Sequence, residues 1–198
     1  MLIQVTADPQ QGEQMSFEFL IEPQHGPQWK SLLPGKPVPY VLRNGEGEHA
    51  MLFTDLFSVL LSGAETNNQF GIITSDCPSG DIIPTHSHNE THETFYLLEG
   101  KLRLYFVDED GAKTSRLLTP GDFGYVPAGT PHAYKIEEAA RILGVMSGGF
   151  ERFFQHMGTP TDHPTKDQPP FIPDFPRMKA AAQQHNMQFM PDYQWPDA

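Results

Sequence analysis

Four side chains in two short stretches have the types and spacing to hold a metal ion. His86 and His88 lie two apart, and Glu93 follows five residues later, all between Gly80 and Gly100. Residues two apart on a strand project from the same face, so the two imidazoles point the same way. The polar run 89–92 lets the chain turn. The next stretch reads as a strand on which Glu93, Phe95 and Leu97 share a face. Imidazole nitrogens and a carboxylate suit a borderline divalent cation such as Zn, Fe, Ni, Cu or Mn. His132, closing a second stretch that starts at Gly121, is the candidate fourth ligand. Such a set leaves room at the metal for exogenous ligands. A cation beside Glu93 favours its anion, whereas an apolar barrel raises its pKa, and the two opposed effects suit a base poised near neutrality.

The elements that must position these groups read as strands. Short apolar or alternating runs occur at 40–43, 50–54, 56–61, 69–74, 94–98, 101–106, 113–118, 122–126, 131–136 and 140–146. Gly, Pro, Asn and Asp punctuate the gaps. About ten short strands with no helix among them predict an all-β antiparallel sandwich or barrel over 38–149. The flanks differ. Residues 1–37 read as an arm, with a short strand at 15–21 and a helical turn at 29–33. Residues 150–198 read as a helical and extended segment, a possible lid over the barrel. There Phe150, Phe153, Phe154 and Met157 have the spacing of one helical face, Gly158 is a stop, and a second helix is expected over 174–184.

Composition narrows the partners. Thirteen basic against 25 acidic residues give a net charge of -12 over 198 residues, which argues against nucleic acid or an anionic membrane surface. One cysteine, Cys77, excludes an internal disulfide framework and reads as a small buried hydrophobe. No secretory signal and no membrane-spanning apolar run is visible, so a cytoplasmic protein is expected. His92 has the wrong parity to join the ligands. His25, His49, His156, His163 and His185 read as surface or loop histidines.

The two stretches resemble the cupin motifs. Gly80-x5-His86-x-His88-x4-Glu93-x6-Gly100 matches the first at every specified position, and Gly121-x5-Pro127-x-Gly129-x2-His132 matches the second. Ile136 stands where the pattern usually has Asn. From 39 to 158 the chain also resembles the quercetin 2,3-dioxygenases, including the single-unit forms. The matching pieces are Pro39-Tyr-Val-Leu-Arg43, Glu93-Thr-Phe-Tyr96, Gly121-Asp-Phe-Gly-Tyr-Val-Pro127 and Gly144-Val-Met-Ser-Gly-Gly-Phe-Glu-Arg-Phe153.

This resemblance implies a jelly-roll barrel with one divalent transition metal (Ni, Co, Mn, Fe or Cu) on His86, His88, Glu93 and His132. It also implies a homodimer that cleaves the heterocyclic ring of a flavonol with O2, releasing carbon monoxide and a depside, with Glu93 as the base. Parity and the resemblance together put Phe57, Ile73, Phe95, Tyr134, Ile142, Met146 and Phe150 on the wall for a small aromatic substrate. Two alternatives stand beside this reading. One is another cupin enzyme acting on a small organic acid or aromatic enol, which would use Arg103 or Arg141. The other is a non-catalytic cupin that binds metal or ligand.

Overall fold

The computed structural model describes residues 31–162 and 169–196. Ten strands follow in chain order: β1 (Glu48–Leu52), β2 (Asp55–Leu61), β3 (Phe70–Cys77), β4 (Ile82–His88), β5 (Glu93–Val107), β6 (Lys113–Leu118), β7 (Phe123–Val126), β8 (His132–Ser147), β9 (Thr159–Pro160) and β10 (Met187–Phe189). Three helices accompany them: α1 (Gly63–Thr66), α2 (Glu151–Met157) and α3 (Phe175–Gln184). This is the expected all-β, cupin-like fold. The strand expected at 15–21 and the start of the helical turn at 29–33 lie outside the described residues. From Ser31 onward that turn is irregular.

The sequence divides β5 and β8 into two strands each, whereas the structure makes each continuous. They pair with one another from Glu93↔Met146 to Phe106↔His132. Register shifts between Leu97 and Leu102 bend β5 in the middle. Gly100 sits at that bend with φ +80, a conformation that disfavours any side chain. The bend gives the two halves of each strand different outer neighbours. The first half of β5 takes β7 and its second half takes β6, while β8 takes first β4 and then β3. One ten-stranded sheet is thus folded into two facing leaves, β9-β1-β2-β3-β8-β5-β7 and β10-β4-β8-β5-β6. Among the described residues the ladder ends at β9 and β10 and does not close on itself.

Two further expectations are corrected. Residues 40–43 form no strand, and Val41 is 89% exposed. That apolar run is held as a loop, with Tyr40 donating its hydroxyl proton to the Leu60 carbonyl. A helix does interrupt the strands. In α1, Ser62 caps the first turn and Glu65 reaches back to the Ser62 backbone N–H at 2.8 Å. At four residues it is too short to show a helical period.

Apolar side chains fill the space between the leaves. Leu97, Leu102, Leu104, Val126, Ile136 and Ile142 form one cluster, and each fully buried side chain contributes about 2 kcal/mol. A second cluster receives α2 through Phe150, Phe153, Phe154 and Met157, so the expected helical face is buried. Gly148 and Gly149, with φ +69 and +73, turn β8 into α2. Asp174 starts α3 by accepting the Arg177 backbone N–H at 2.9 Å. No described helix is long and apolar enough to cross a membrane.

Candidate metal centre

β4 delivers two of the four candidate ligands by an irregular route. Ile83 pairs with Tyr134 and His86 with His132, so β4 spends one residue more than β8 over this span. The extra residue is a bulge at Pro84 and Thr85, where Pro84 has no N–H to leave unpaired. Beyond the bulge His86 and His88 both face inward, 5% and 1% exposed. His132 opens β8 beside them and is fully buried. Glu93 opens β5 on the other leaf and aims its carboxylate across the gap.

The four meet. One ligand atom from each of His86, His88, Glu93 and His132 lies within 4.8 Å of all the others. Glu93 Oε2 is 3.1 Å from His132 Nε2 and 3.3 Å from His88 Nε2. The second nitrogen of every ring is already engaged. Nδ1 of His86 contacts the Pro84 carbonyl at 2.8 Å, that of His132 the Thr130 carbonyl at 2.9 Å, and that of His88 the Thr91 carbonyl at 3.3 Å. A carbonyl only accepts, so each Nδ1 carries the proton and a neutral ring turns the Nε2 lone pair toward the carboxylate. Lone pairs converging on a carboxylate repel unless a cation stands among them. Consistent with this, His88 Nε2 is buried without a hydrogen-bond donor. The donor set therefore fits one divalent transition metal.

Electrostatics agree for the imidazoles. Burial, and then the nearby His132, push His86 down to about 3, so it stays neutral as a ligand must. For Glu93, burial pushes the carboxyl up, and His132 and His88 pull it down only where their Nε2 atoms donate; with lone pairs there, it is a cation among them that favours the anion.

A narrow gap between the leaves adjoins the cluster, and Glu93 belongs to both. Phe57, Ile73, Phe95, Tyr134, Ile142 and Met146 line it, six of the seven residues expected on the wall. Phe150, the seventh, packs instead on the ligand cluster, its ring 4.5 Å from that of His88. Four lining residues lay outside the expected wall: Ser75, Thr94, Gly144 and Phe154. Parity could have found Ser75 and Gly144, two residues after Ile73 and Ile142. Phe154 required tertiary structure, because it reaches the cavity from α2 and stacks on Phe57 at 4.2 Å. Burial holds the Tyr134 hydroxyl well above its usual pKa, so it remains a hydrogen-bond donor.

Other residues fall into place around the site. His92 is exposed and bonds the Tyr125 hydroxyl through Nδ1 at 2.8 Å, outside the ligand set. His156 and His185 are not surface residues. Their ring nitrogens meet at 2.6 Å between α2 and the end of α3, half-buried. Arg103 is paired with Glu137 at 3.0 Å and Arg141 with Asp76 at 3.9 Å, so neither cation enters the cavity. His25 and His163 lie outside the described residues.

Comparison with known proteins adds the following. Residues 74–146 match the cupin domain family model. The chain is similar to the quercetin 2,3-dioxygenase of Bacillus subtilis (strain 168), 36% identical over 141 residues, covering 70% of this chain and 40% of the relative. It is also similar to the quercetin 2,3-dioxygenase of Aspergillus japonicus, 29% identical over 141 residues, covering 68% and 39%. The chain thus spans about 40% of the length of these curated relatives. Among solved structures, oxalate decarboxylase from Bacillus subtilis matches with a TM-score of 0.47 and 21% identity, covering 59% of this chain and 31% of that one. KdgF from Halomonas sp. matches with a TM-score of 0.40 and 16% identity, covering 61% and 87%.

Proposed function

We propose, from the premise that this chain carries a cupin domain similar to that of the quercetin 2,3-dioxygenases, that it is a metal-dependent dioxygenase opening the heterocyclic ring of a flavonol. One observation carries the reading: Glu93 belongs at once to a four-ligand cluster and to the wall of an apolar, aromatic cavity. A proton held by an enol bound in that cavity would lie beside this carboxylate.

When bound by His86, His88, Glu93 and His132, a divalent transition metal (Ni, Co, Mn, Fe or Cu) would supply Lewis acidity to the enol oxygen and a path for electrons between substrate and dioxygen. Glu93, held as the anion when the cation is bound, accepts the proton of the substrate 3-hydroxyl. Phe57, Ile73, Phe95, Ile142 and Met146 offer an apolar face that parts to take the flat rings and excludes water from the electron-rich enolate. Tyr134 offers its hydroxyl proton to a substrate oxygen. Phe150 packs behind His88 and fixes the ligand ring. The reaction balances: flavonol and O2 give the depside ester, with one ring carbon leaving as carbon monoxide.

The alternative of a small organic acid as substrate lacks support. It calls for a cation in the cavity, and neither Arg103 nor Arg141 lines it. On the same reading residues 38–149 are the catalytic unit, 1–37 an arm and 150–198 a covering segment. The protein works in the cytoplasm as a homodimer, without nucleic-acid or membrane partners. The net charge of -12 supports the last point. The exposed Tyr96, Phe123 and Tyr125 on neighbouring strands β5 and β7 support self-association.

The test is an aerobic assay with quercetin on protein loaded separately with each of the five metals. Loss of the flavonol absorption band with one equivalent of carbon monoxide, abolished in Glu93→Gln, is the expected result. A fully loaded protein that leaves quercetin intact with every metal overturns it.

A further inference from the structure

β4 carries two of the four ligands, yet on its own leaf it has β8 on only one side. The bulge at Pro84 and Thr85 removes part of that pairing too. The other side is covered by the end of the described chain. β10 pairs along β4 with Met187 opposite His88, Gln188 opposite Ser87 and Phe189 opposite His86. The contacts continue past both ends of this ladder. The Asn89 backbone N–H donates to the Asn186 carbonyl at 3.2 Å, and the Met190 N–H donates to the Thr85 carbonyl at 2.8 Å. The Trp195 indole N–H donates to the Thr85 hydroxyl at 2.8 Å, a bond that is buried. Trp195 is 8% exposed and packs with Tyr105, Ala133 and Tyr193 on the outer side of the leaf.

The C-terminal segment therefore bonds β4 at the bulge itself. Thr85 is the link. Its carbonyl and hydroxyl are both held by that segment. Its neighbour Pro84 supplies the carbonyl that fixes the His86 ring, and His86 follows directly. A bulge is a soft point in a strand, and a ligand pair just beyond it is only as well placed as the bulge is rigid.

We infer that the segment 186–195 is a strap that sets the geometry of the metal centre, with Trp195 and Thr85 as positioning residues for His86 and His88. This rests on the metal-centre reading above.

Thr85→Val deletes the buried hydrogen bond at nearly constant volume, and Trp195→Phe deletes it with some loss of packing. In the full-length protein, cobalt affinity is measured by competition with a chelator, and the visible d–d spectrum of the bound ion reports its geometry. Each variant is expected to weaken cobalt binding about tenfold and to shift the spectrum, the range in which outer partners of metal ligands act. The double variant is expected to lose no more than either single one, because both remove the same bond. Thr85→Ser, which keeps the hydroxyl, is expected to retain the affinity. Unchanged affinity and spectrum in both single variants, even with a lowered Tm, overturn the strap and leave these residues a packing role only. Unaltered protein that binds no cobalt overturns the metal centre itself, and the strap with it.

Discussion

Glu93 Oε2 stands 3.1 Å from His132 Nε2, although 39 residues separate them and they belong to different leaves of the sheet. The contact is possible because β5 and β8 pair along nearly their whole length and bend together. The start of one strand is thereby brought over the start of the other. The centre is thus a clamp between leaves, and metal binding couples to the stability of the fold.

Loading the centre should raise the Tm. A ligand at about 100 times its Kd adds about 2.7 kcal/mol, which in a chain of this size is a rise of about 5–10 °C. Thermal melts of the chelated and nickel- or cobalt-loaded protein check this, and His132→Ala should abolish the rise.

Glu93→Gln keeps the shape of the side chain but removes the charge that faces His132 and His88. Turnover of quercetin should fall by about 10²-fold or more, the usual cost of removing a positioned base. Metal content after dialysis should fall less than in His86→Ala. A variant that turns over at the original rate would remove Glu93 from the role of base.

Asp55 predicts a pH dependence unrelated to the metal. It is 1% exposed, and burial, then the neighbouring Asp81, push its carboxyl up to about 8. The folded protein therefore keeps a proton that the unfolded chain releases near its ordinary value. Asp55 favours folding fully below about 4, and that contribution is lost as pH rises through about 8. Urea unfolding at pH 6 and pH 9 should show lower stability at pH 9. Asp55→Asn should flatten the difference.

Gly80 and Gly100 bracket the first motif for different reasons. Both have positive φ, +95 and +80. A Cβ at Gly80 meets nothing within 4 Å, whereas one at Gly100 would stand 2.1 Å from the Ala139 carbonyl oxygen. Gly80→Ala should cost about 1 kcal/mol of backbone strain. Gly100→Ala should cost at least about 3 kcal/mol, because the obstacle is backbone at the bend of β5 and cannot step aside. Denaturant midpoints of the two variants separate the cases.

Much of the site was legible in the sequence because its information is local. The spacing of His86 and His88 gives a shared face by the period of a strand, and Glu93, Phe95 and Leu97 follow the same rule. Parity put Tyr134 on the inner side, and parity with the family resemblance put Ile142 and Met146 there; all three line the cavity. Strand period says which way a side chain points. It does not say what lies across from it.

The remainder depended on what packs across the gap, and only the tertiary structure decided it. The sequence reads as two runs each where β5 and β8 lie, yet cross-strand pairing carries both strands through. His156 and His185 looked like surface residues until α2 and α3 brought their rings together. Phe154 entered the cavity wall from a helix that follows the barrel strands. β9 and β10 are two and three residues long, too short to carry a period, and exist only because β1 and β4 offer them an edge. The sequence named the ligands through local spacing. The fold determined how firmly they are held, because β4 gains its second neighbour from residues a hundred positions away.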